Sequence, residues 1–148
     1  IDPIVQQEVT ITRQTVTRIE DADKERTMGR KHIVPYGLYR VEGYISAKLA
    51  NDATKGTGFS EEDLQLLWDA LINMFEHDHS AARGKMATRK LIVFKHDSDL
   101  GNAPSHLLFD RAEVQRYPDV AVPRKFSDYV VAIHQENLPS GVEVIEML

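Results

Sequence analysis

Three neighbouring residues and one further histidine have side chains that could carry out chemistry: His77, Asp78, His79 and His96. Histidine and carboxylate groups together bind divalent metal ions or transfer protons. A metal-dependent nuclease built on these residues is therefore one hypothesis. The spacing argues against it, because residues two apart point to different sides of a helix and no H-E-x-x-H motif occurs. The same residues suit a helix end, where histidine interacts well with the helix dipole.

Positive charge is concentrated in two segments that contain no acidic residue, at positions 26–40 and 79–96. The formal net charge of the chain is −5, which taken alone disfavours nucleic-acid binding, because phosphate contacts need lysine and arginine. Clustered cations nevertheless permit a local basic groove on an acidic protein. The alternative is a pair of solvated basic faces without a ligand.

Each basic segment supplies candidate contacts to RNA. Arginine and lysine pair with phosphates, and Met28, next to a glycine, is a candidate apolar wedge between bases. Tyr36 and Tyr39 either stack on bases or face the core. The candidate RNA-binding residues are Arg26, Met28, Arg30, Lys31, Arg83, Lys85 and Arg89.

The elements that must position these residues follow from the periodicity of the sequence. β-Branched residues at 8–17 predict a strand, the polar stretch 18–30 predicts a long loop, and residues 33–47 predict an interrupted strand. Ser60 and the acids after it resemble a capping box. Apolar residues then recur at helical spacing, so a helix is expected from Ser60 to near Asp78.

The second half of the chain predicts mostly short strands. The apolar run 91–94 indicates a strand covered on both faces, and Pro104 predicts the start of a short helix. Further strands are predicted at 112–117, 128–134 and 142–148. This order favours an α+β fold with a ferredoxin-like pattern, in a single domain of residues 1–148.

Composition narrows the class of protein. The chain has no cysteine, which excludes disulfides, thiolate metal sites and thiol nucleophiles, and fits a reducing cytoplasm. It has no apolar run of about 18 residues and no secretory leader, so a cytoplasmic protein without a membrane anchor is expected. The chain starts with Ile1 rather than methionine, which predicts that a preceding segment is missing.

Several long stretches of the sequence are distinctive and occur in order over nearly the whole chain: ERTMGRKHIVPYGLYRVEGYISAKLA, GFSEEDLQLLWDALINMFEHDHSAARGKM, LIVFKHDSDLGNAP followed by HLLF, FSDYVV, and NLPSGVEVIE. These stretches resemble the CRISPR-associated type I-C Cascade backbone family, whose members coat guide RNA. Members of that family are substantially longer. The chain therefore resembles their C-terminal portion, without the N-terminal part that contributes to an RRM-like core.

The resemblance implies an incomplete RRM-like palm and a thumb-like extension at residues 8–40 that kinks RNA at regular intervals. It implies contacts with CRISPR guide RNA, with target DNA through the guide, with copies of the same chain in a helical array and with other Cascade subunits. No catalytic residue, metal or cofactor is expected, because other proteins of such systems cut the target and process the guide. Two alternatives stay open: the nuclease described above, and a protein-interaction scaffold without RNA contact.

Overall fold

The computed structural model describes residues 10–16, 27–33, 35–80 and 84–148. Three two-stranded sheets and three helices make up the described part, which confirms an α+β fold. The finer RRM-like arrangement stays a prediction. The strands are β1 Thr10–Val16, β2 Thr27–Ile33, β3 Ile92–His96, β4 Ala112–Arg116, β5 Tyr129–Ile133 and β6 Val142–Glu146. The helices are α1 Ala47–Ala50, α2 Glu61–Asn73 and α3 Ser105–Phe109, with a 3-10 helix at Phe126–Asp128.

The chain divides into two compact units. Unit 1 comprises Ile1–Arg40 and Arg116–Val130, and unit 2 comprises Val41–Gln115 and Val131–Leu148. One domain over residues 1–148, with a thumb at residues 8–40, stays a prediction. In the ranges that the structure describes, no helix has the length and apolar character needed to cross a bilayer.

Strands β1 and β2 form an antiparallel hairpin in unit 1, with Thr10 opposite Ile33 and Val16 opposite Thr27. Strand β1 lies inside the predicted strand 8–17. The prediction for 18–30 is wrong at its end, because residues 27–30 belong to β2. Residues 36–46, predicted as a strand, form no helix or strand. Pairing across the hairpin outweighs the poor strand propensity of glycine and lysine in β2.

Helix α2 in unit 2 begins with the predicted capping box. The Asp63 amide donates to Ser60 Oγ at 3.2 Å, and the Ser60 amide donates to Asp63 Oδ2 at 2.9 Å. The helix ends at Asn73 rather than near Asp78. The side chain of its last residue, Asn73, competes for a helix carbonyl, because Asn73 Nδ2 donates to the Asp69 carbonyl at 2.8 Å. A turn then follows, in which the Glu76 amide donates to the Asn73 carbonyl. The apolar stripe is half-buried, at Leu64, Leu67, Trp68, Leu71 and Phe75.

Leu108 on α3 is the most deeply buried side chain of unit 2 in the described ranges, with 2% of its surface exposed. Helix α3 follows Pro104, as predicted. Beside Leu108, the ring of Phe109 contacts Phe94 edge-on at 6.4 Å and Tyr44 edge-on at 5.4 Å between centroids. Edge-to-face packing of this kind adds to the burial of apolar area. These rings connect α3 to strand β3.

Strand β3 pairs antiparallel with β6, with Phe94 opposite Val144 and Lys95 opposite Glu143. The run predicted as a strand covered on both faces is a strand, but its side chains are only half-buried. Lys90 Nζ lies 3.1 Å from Glu146 Oε2 and adds an ion pair beside the sheet. The predicted last strand is confirmed as β6.

A side-chain network closes the end of this sheet. The Asp97 amide donates to the Gly141 carbonyl at 2.9 Å, and Asn102 Nδ2 donates to Asp97 Oδ1 at 2.6 Å. Gly141 has φ = 79°, a left-handed conformation that favours glycine. A Cβ at this position would overlap the Asp97 carboxylate and the Asn102 amide. The position therefore requires glycine for both conformation and space.

Strands β4 and β5 form the third pair and agree with the predictions at 112–117 and 128–134. Just before β4, the Arg111 guanidinium holds the turn that follows β5. It donates to the carbonyl oxygens of His134 at 3.1 Å, Glu136 at 2.8 Å and Asn137 at 3.0 Å. Asn137 adopts a left-handed φ of 52° within that turn. One planar side chain thus satisfies three main-chain acceptors.

Candidate nucleic-acid interface

The β1–β2 hairpin places cationic residues at matched positions. Arg13 stands opposite Arg30, and Thr12 stands opposite Lys31. The two strands contain lysine, arginine and histidine but no aspartate or glutamate. Directly opposite residues share one face of a sheet, and like charges there are destabilising. The register therefore sets two arginine positions opposite each other at the middle of the hairpin.

Strand alternation assigns these residues to two faces. Residues two apart in a strand share a face, so Met28 and Arg30 lie on the same face as Arg13. Lys31 lies on the other face. The candidates predicted from the sequence include Arg30 and Lys31 but not Arg13. An arginine in the middle of a threonine-rich strand was the available signal, but only the register reveals its partner.

A like-charged cross-strand pair raises the free energy of the hairpin by about 0.2–1 kcal/mol relative to a neutral pair. An anion shared by the two arginines converts this repulsion into attraction. A phosphodiester strand supplies closely spaced negative charges and is well matched to arginine. The register thus sets Arg13, Arg30 and the apolar residue Met28 on one face of the hairpin, and phosphate binding at these positions stays a prediction.

The other candidate phosphate contacts lie either outside the described residues or in unit 2. Arg26 and Arg83 lie outside the described residues. Lys85 and Arg89 are exposed in the segment before β3, in unit 2. Their assignment as phosphate contacts, and the formation of one groove with the hairpin cations, stay predictions.

The two candidate stacking tyrosines, Tyr36 and Tyr39, differ in accessibility. The Tyr36 ring stacks on Tyr129, with centroids 6.2 Å apart and planes inclined by 28°. This contact favours the packing interpretation of Tyr36. Tyr39 is 71% exposed and presents its ring to solvent, where a base can stack on it.

The histidine cluster does not form an ion site. Helix α2 ends before His77, and His96 lies on β3, where its Nδ1 accepts a hydrogen bond from the Asn102 amide at 2.8 Å. Within residues 35–80 and 84–148, whose side chains the structure describes, no three histidine, aspartate or glutamate side chains are arranged to hold a metal. The nuclease stays an alternative hypothesis.

Among the residues whose side chains the structure describes, three carboxyl groups have displaced pKa values, and each has a local structural cause. Backbone hydrogen bonds from Thr54 and Lys55 lower the pKa of Asp52. The Ser60 backbone amide lowers the pKa of Asp63, and the His134 side chain lowers the pKa of Glu113. Hydrogen bonds that favour the charged form explain all three directions. These groups belong to a turn, a helix cap and a strand pair.

Comparison with known proteins gives the family. No match was found among curated proteins. A family model described as CRISPR-associated protein Cas7 matches residues 1–134, which include the cationic hairpin. This membership indicates a backbone subunit that binds CRISPR RNA within a CRISPR complex, in agreement with the resemblance noted in the sequence. The chain therefore belongs to the CRISPR-associated protein Cas7 family.

Proposed function

We propose that the chain is a non-enzymatic, guide-RNA-coating backbone subunit of a type I-C Cascade complex. The observation that carries this proposal is the hairpin register, which sets Arg13 opposite Arg30 without a nearby acidic position in either strand. Such a register is unfavourable in isolation and favourable around a phosphate chain. The family match supplies the CRISPR context, and the quoted sequence stretches support type I-C.

In this mechanism the protein binds the backbone of the guide, and the guide recognises the target sequence. Arg13 and Arg30 hold phosphates, which fixes the path of the guide without reading its sequence. Met28 lies on the same hairpin face and enters between neighbouring bases, which kinks the strand. The bases between successive kinks stay available for pairing with target DNA, so the guide supplies the specificity.

Assembly along RNA follows from contacts between unlike surfaces of successive copies. Such head-to-tail contacts generate an open helical array whose length is set by the RNA and by end subunits. In this proposal the palm is RRM-like, the hairpin belongs to the thumb, and the other Cascade subunits bind at the ends and along the array.

The test is to express the full-length protein with its complex partners and guide locus, and then to identify the RNA that copurifies. We expect RNA of uniform guide length. Replacement of both arginines (Arg13→Gln with Arg30→Gln) should reduce the slope of log affinity against log salt by about 1.4, at about 0.7 per single-strand phosphate contact. A matched control, Lys48→Gln with Lys55→Gln, removes the same charge from exposed positions of unit 2 and should leave the slope unchanged.

Two outcomes would replace this proposal. A purified complex without RNA would favour the protein-interaction scaffold. Cleavage of RNA or DNA that stops when a chelator is added would favour the nuclease.

A further inference from the structure

The loop between β4 and β5 in unit 1 is closed at its base by main-chain hydrogen bonds. The Tyr117 amide donates to the Asp128 carbonyl at 3.0 Å, and the Val120 amide donates to the Tyr117 carbonyl at 3.0 Å. Pro118 and Pro123 each fix one backbone angle within the loop. We name residues 117–128 the anchored loop.

A buried carboxylate fixes the far side of the anchored loop. Asp128 has only 8% of its surface exposed. Its Oδ2 accepts hydrogen bonds from the Arg124 amide at 2.7 Å and from the Lys125 amide at 3.1 Å. Because charge-assisted bonds to a buried acceptor are strong, the backbone at these two positions is well determined. Asp128 therefore bonds to the main chain rather than to the two cationic side chains, and Arg124 Nη1 donates to the Pro123 carbonyl at 3.4 Å.

Arg124 and Lys125 are both exposed at this fixed position. In the part of the chain that the structure describes, no carboxylate lies within ion-pair distance of either side chain. The loop also contains Asp119, an exposed acid, so its exposed residues carry one negative and two positive charges. The Lys125 backbone is extended, with φ = −151° and ψ = 161°, which spreads neighbouring side chains apart. Each cation can thus reach a different anion.

We propose that Arg124 and Lys125 on the anchored loop form a second phosphodiester-binding site, separate in sequence from the hairpin cations. The inference rests on the proposed function, because the ligand is a nucleic-acid strand. Because the backbone that carries these two neighbouring cations is already ordered, binding costs little backbone conformational freedom. This arrangement suits a ligand with regularly repeated anionic groups. Tyr117, 45% exposed at the base of the loop, adds an aromatic surface of the kind that accompanies phosphate contacts on single strands.

The experiment uses the assembled complex and the double replacement Arg124→Gln with Lys125→Gln. We expect the salt slope of RNA binding to fall by about 1.4, at about 0.7 per contact, and the affinity to fall equally for unrelated guide sequences. Arg124→Lys keeps the charge and should keep the slope. The matched control is again Lys48→Gln with Lys55→Gln, which removes two exposed cations from unit 2.

Guide RNA and a DNA strand share the phosphodiester chemistry, so a second arm measures binding of target DNA by the guide-loaded complex. A slope change confined to this arm would support the site and assign it to DNA. An unchanged slope in both arms, or an equal change in the control, would overturn the inference. A complex in which the hairpin replacements weaken RNA binding and the loop replacements change neither RNA nor DNA binding would overturn this site alone. A wild-type complex without RNA would overturn the proposed function and this site with it.

Discussion

The β1–β2 and β3–β6 strand pairs differ in the charged residues that they set opposite each other. In the β1–β2 hairpin, Arg13 stands opposite Arg30. In the β3–β6 pair, Lys95 stands opposite Glu143, and a lysine–glutamate ion pair lies beside it. The β3–β6 pair neutralises its own charge, and the β1–β2 pair leaves an excess of positive charge that an external anion can neutralise. A net charge summed over the whole chain conceals this difference, because the neutralised pair and the unbalanced pair enter the same sum.

The largest effect on stability is expected at Gly141, the glycine at the end of the β3–β6 pair. Gly141→Ala forces an L side chain into a left-handed backbone and against the Asp97 carboxylate. We expect the free energy of unfolding to fall by about 3 kcal/mol, combining backbone strain with steric overlap. Thermal and urea denaturation of the purified protein would measure it.

Two other glycines separate the contributions. Gly58 also has a positive φ, 67°, but a Cβ there meets no atom within 4 Å, so Gly58→Ala isolates backbone strain. Gly43 has open space and no positive φ, so Gly43→Ala should have little effect. Equal losses for Gly141→Ala and Gly58→Ala would show that the packing against Asp97 contributes nothing.

The next effect reverses the charge pattern of the β3–β6 pair. Glu143→Lys sets a lysine opposite Lys95 and imitates the hairpin register. We expect a loss of about 1 kcal/mol in the free energy of unfolding, since opposite charges become like charges at one cross-strand position. The loss should shrink at high salt. Unchanged stability would mean that a like-charged register needs no external anion, which would weaken the argument for the hairpin.

The reciprocal change tests the hairpin itself. Arg30→Glu sets an acid opposite Arg13, and the RNA-free protein should become more stable by about 0.5 kcal/mol. The same replacement should weaken RNA binding more than Arg30→Gln does, because it adds repulsion with phosphate. Denaturation without RNA and binding assays on the complex provide the two readouts. A variant that loses stability and RNA binding together would contradict the comparison.

The smallest effect concerns pH and the cap of α2. Hydrogen bonds from Ser60 lower the pKa of Asp63 from 3.8, so its carboxylate stabilises the folded state. A depressed folded-state pKa gives stabilisation that is complete above the pKa of the unfolded chain and is lost as the pH falls through the folded-state value. Asp63→Asn should therefore lower the melting temperature at about pH 6, and the difference should shrink as the pH falls below 3.8 and through the lower folded-state pKa. Glu62→Gln removes a neighbouring charge without a capping bond, and a pH profile like that of Asp63→Asn would rule out the cap as the cause.

The parts of the fold that the sequence predicted correctly depend on local interactions. The start of α2 was predictable because the capping bonds between Ser60 and Asp63 join residues three apart. The bounds of β2 were not predictable, since they depend on pairing with a strand that lies beyond a long polar segment. The same reason explains why Arg13 was missed as a partner of Arg30. The role of Asp128 likewise depends on where its carboxylate lies in the folded loop.

The three hydrogen bonds from the Arg111 guanidinium to the turn after β5 have a practical consequence for protein engineering. Its three acceptors are main-chain carbonyls, which every residue type possesses, and the donor lies 23 to 26 positions away in the sequence. The shape of the turn after β5 is therefore independent of the side chains at positions 135 and 136. Those positions can carry a cysteine for a fluorescent or spin label in a chain that has no other thiol.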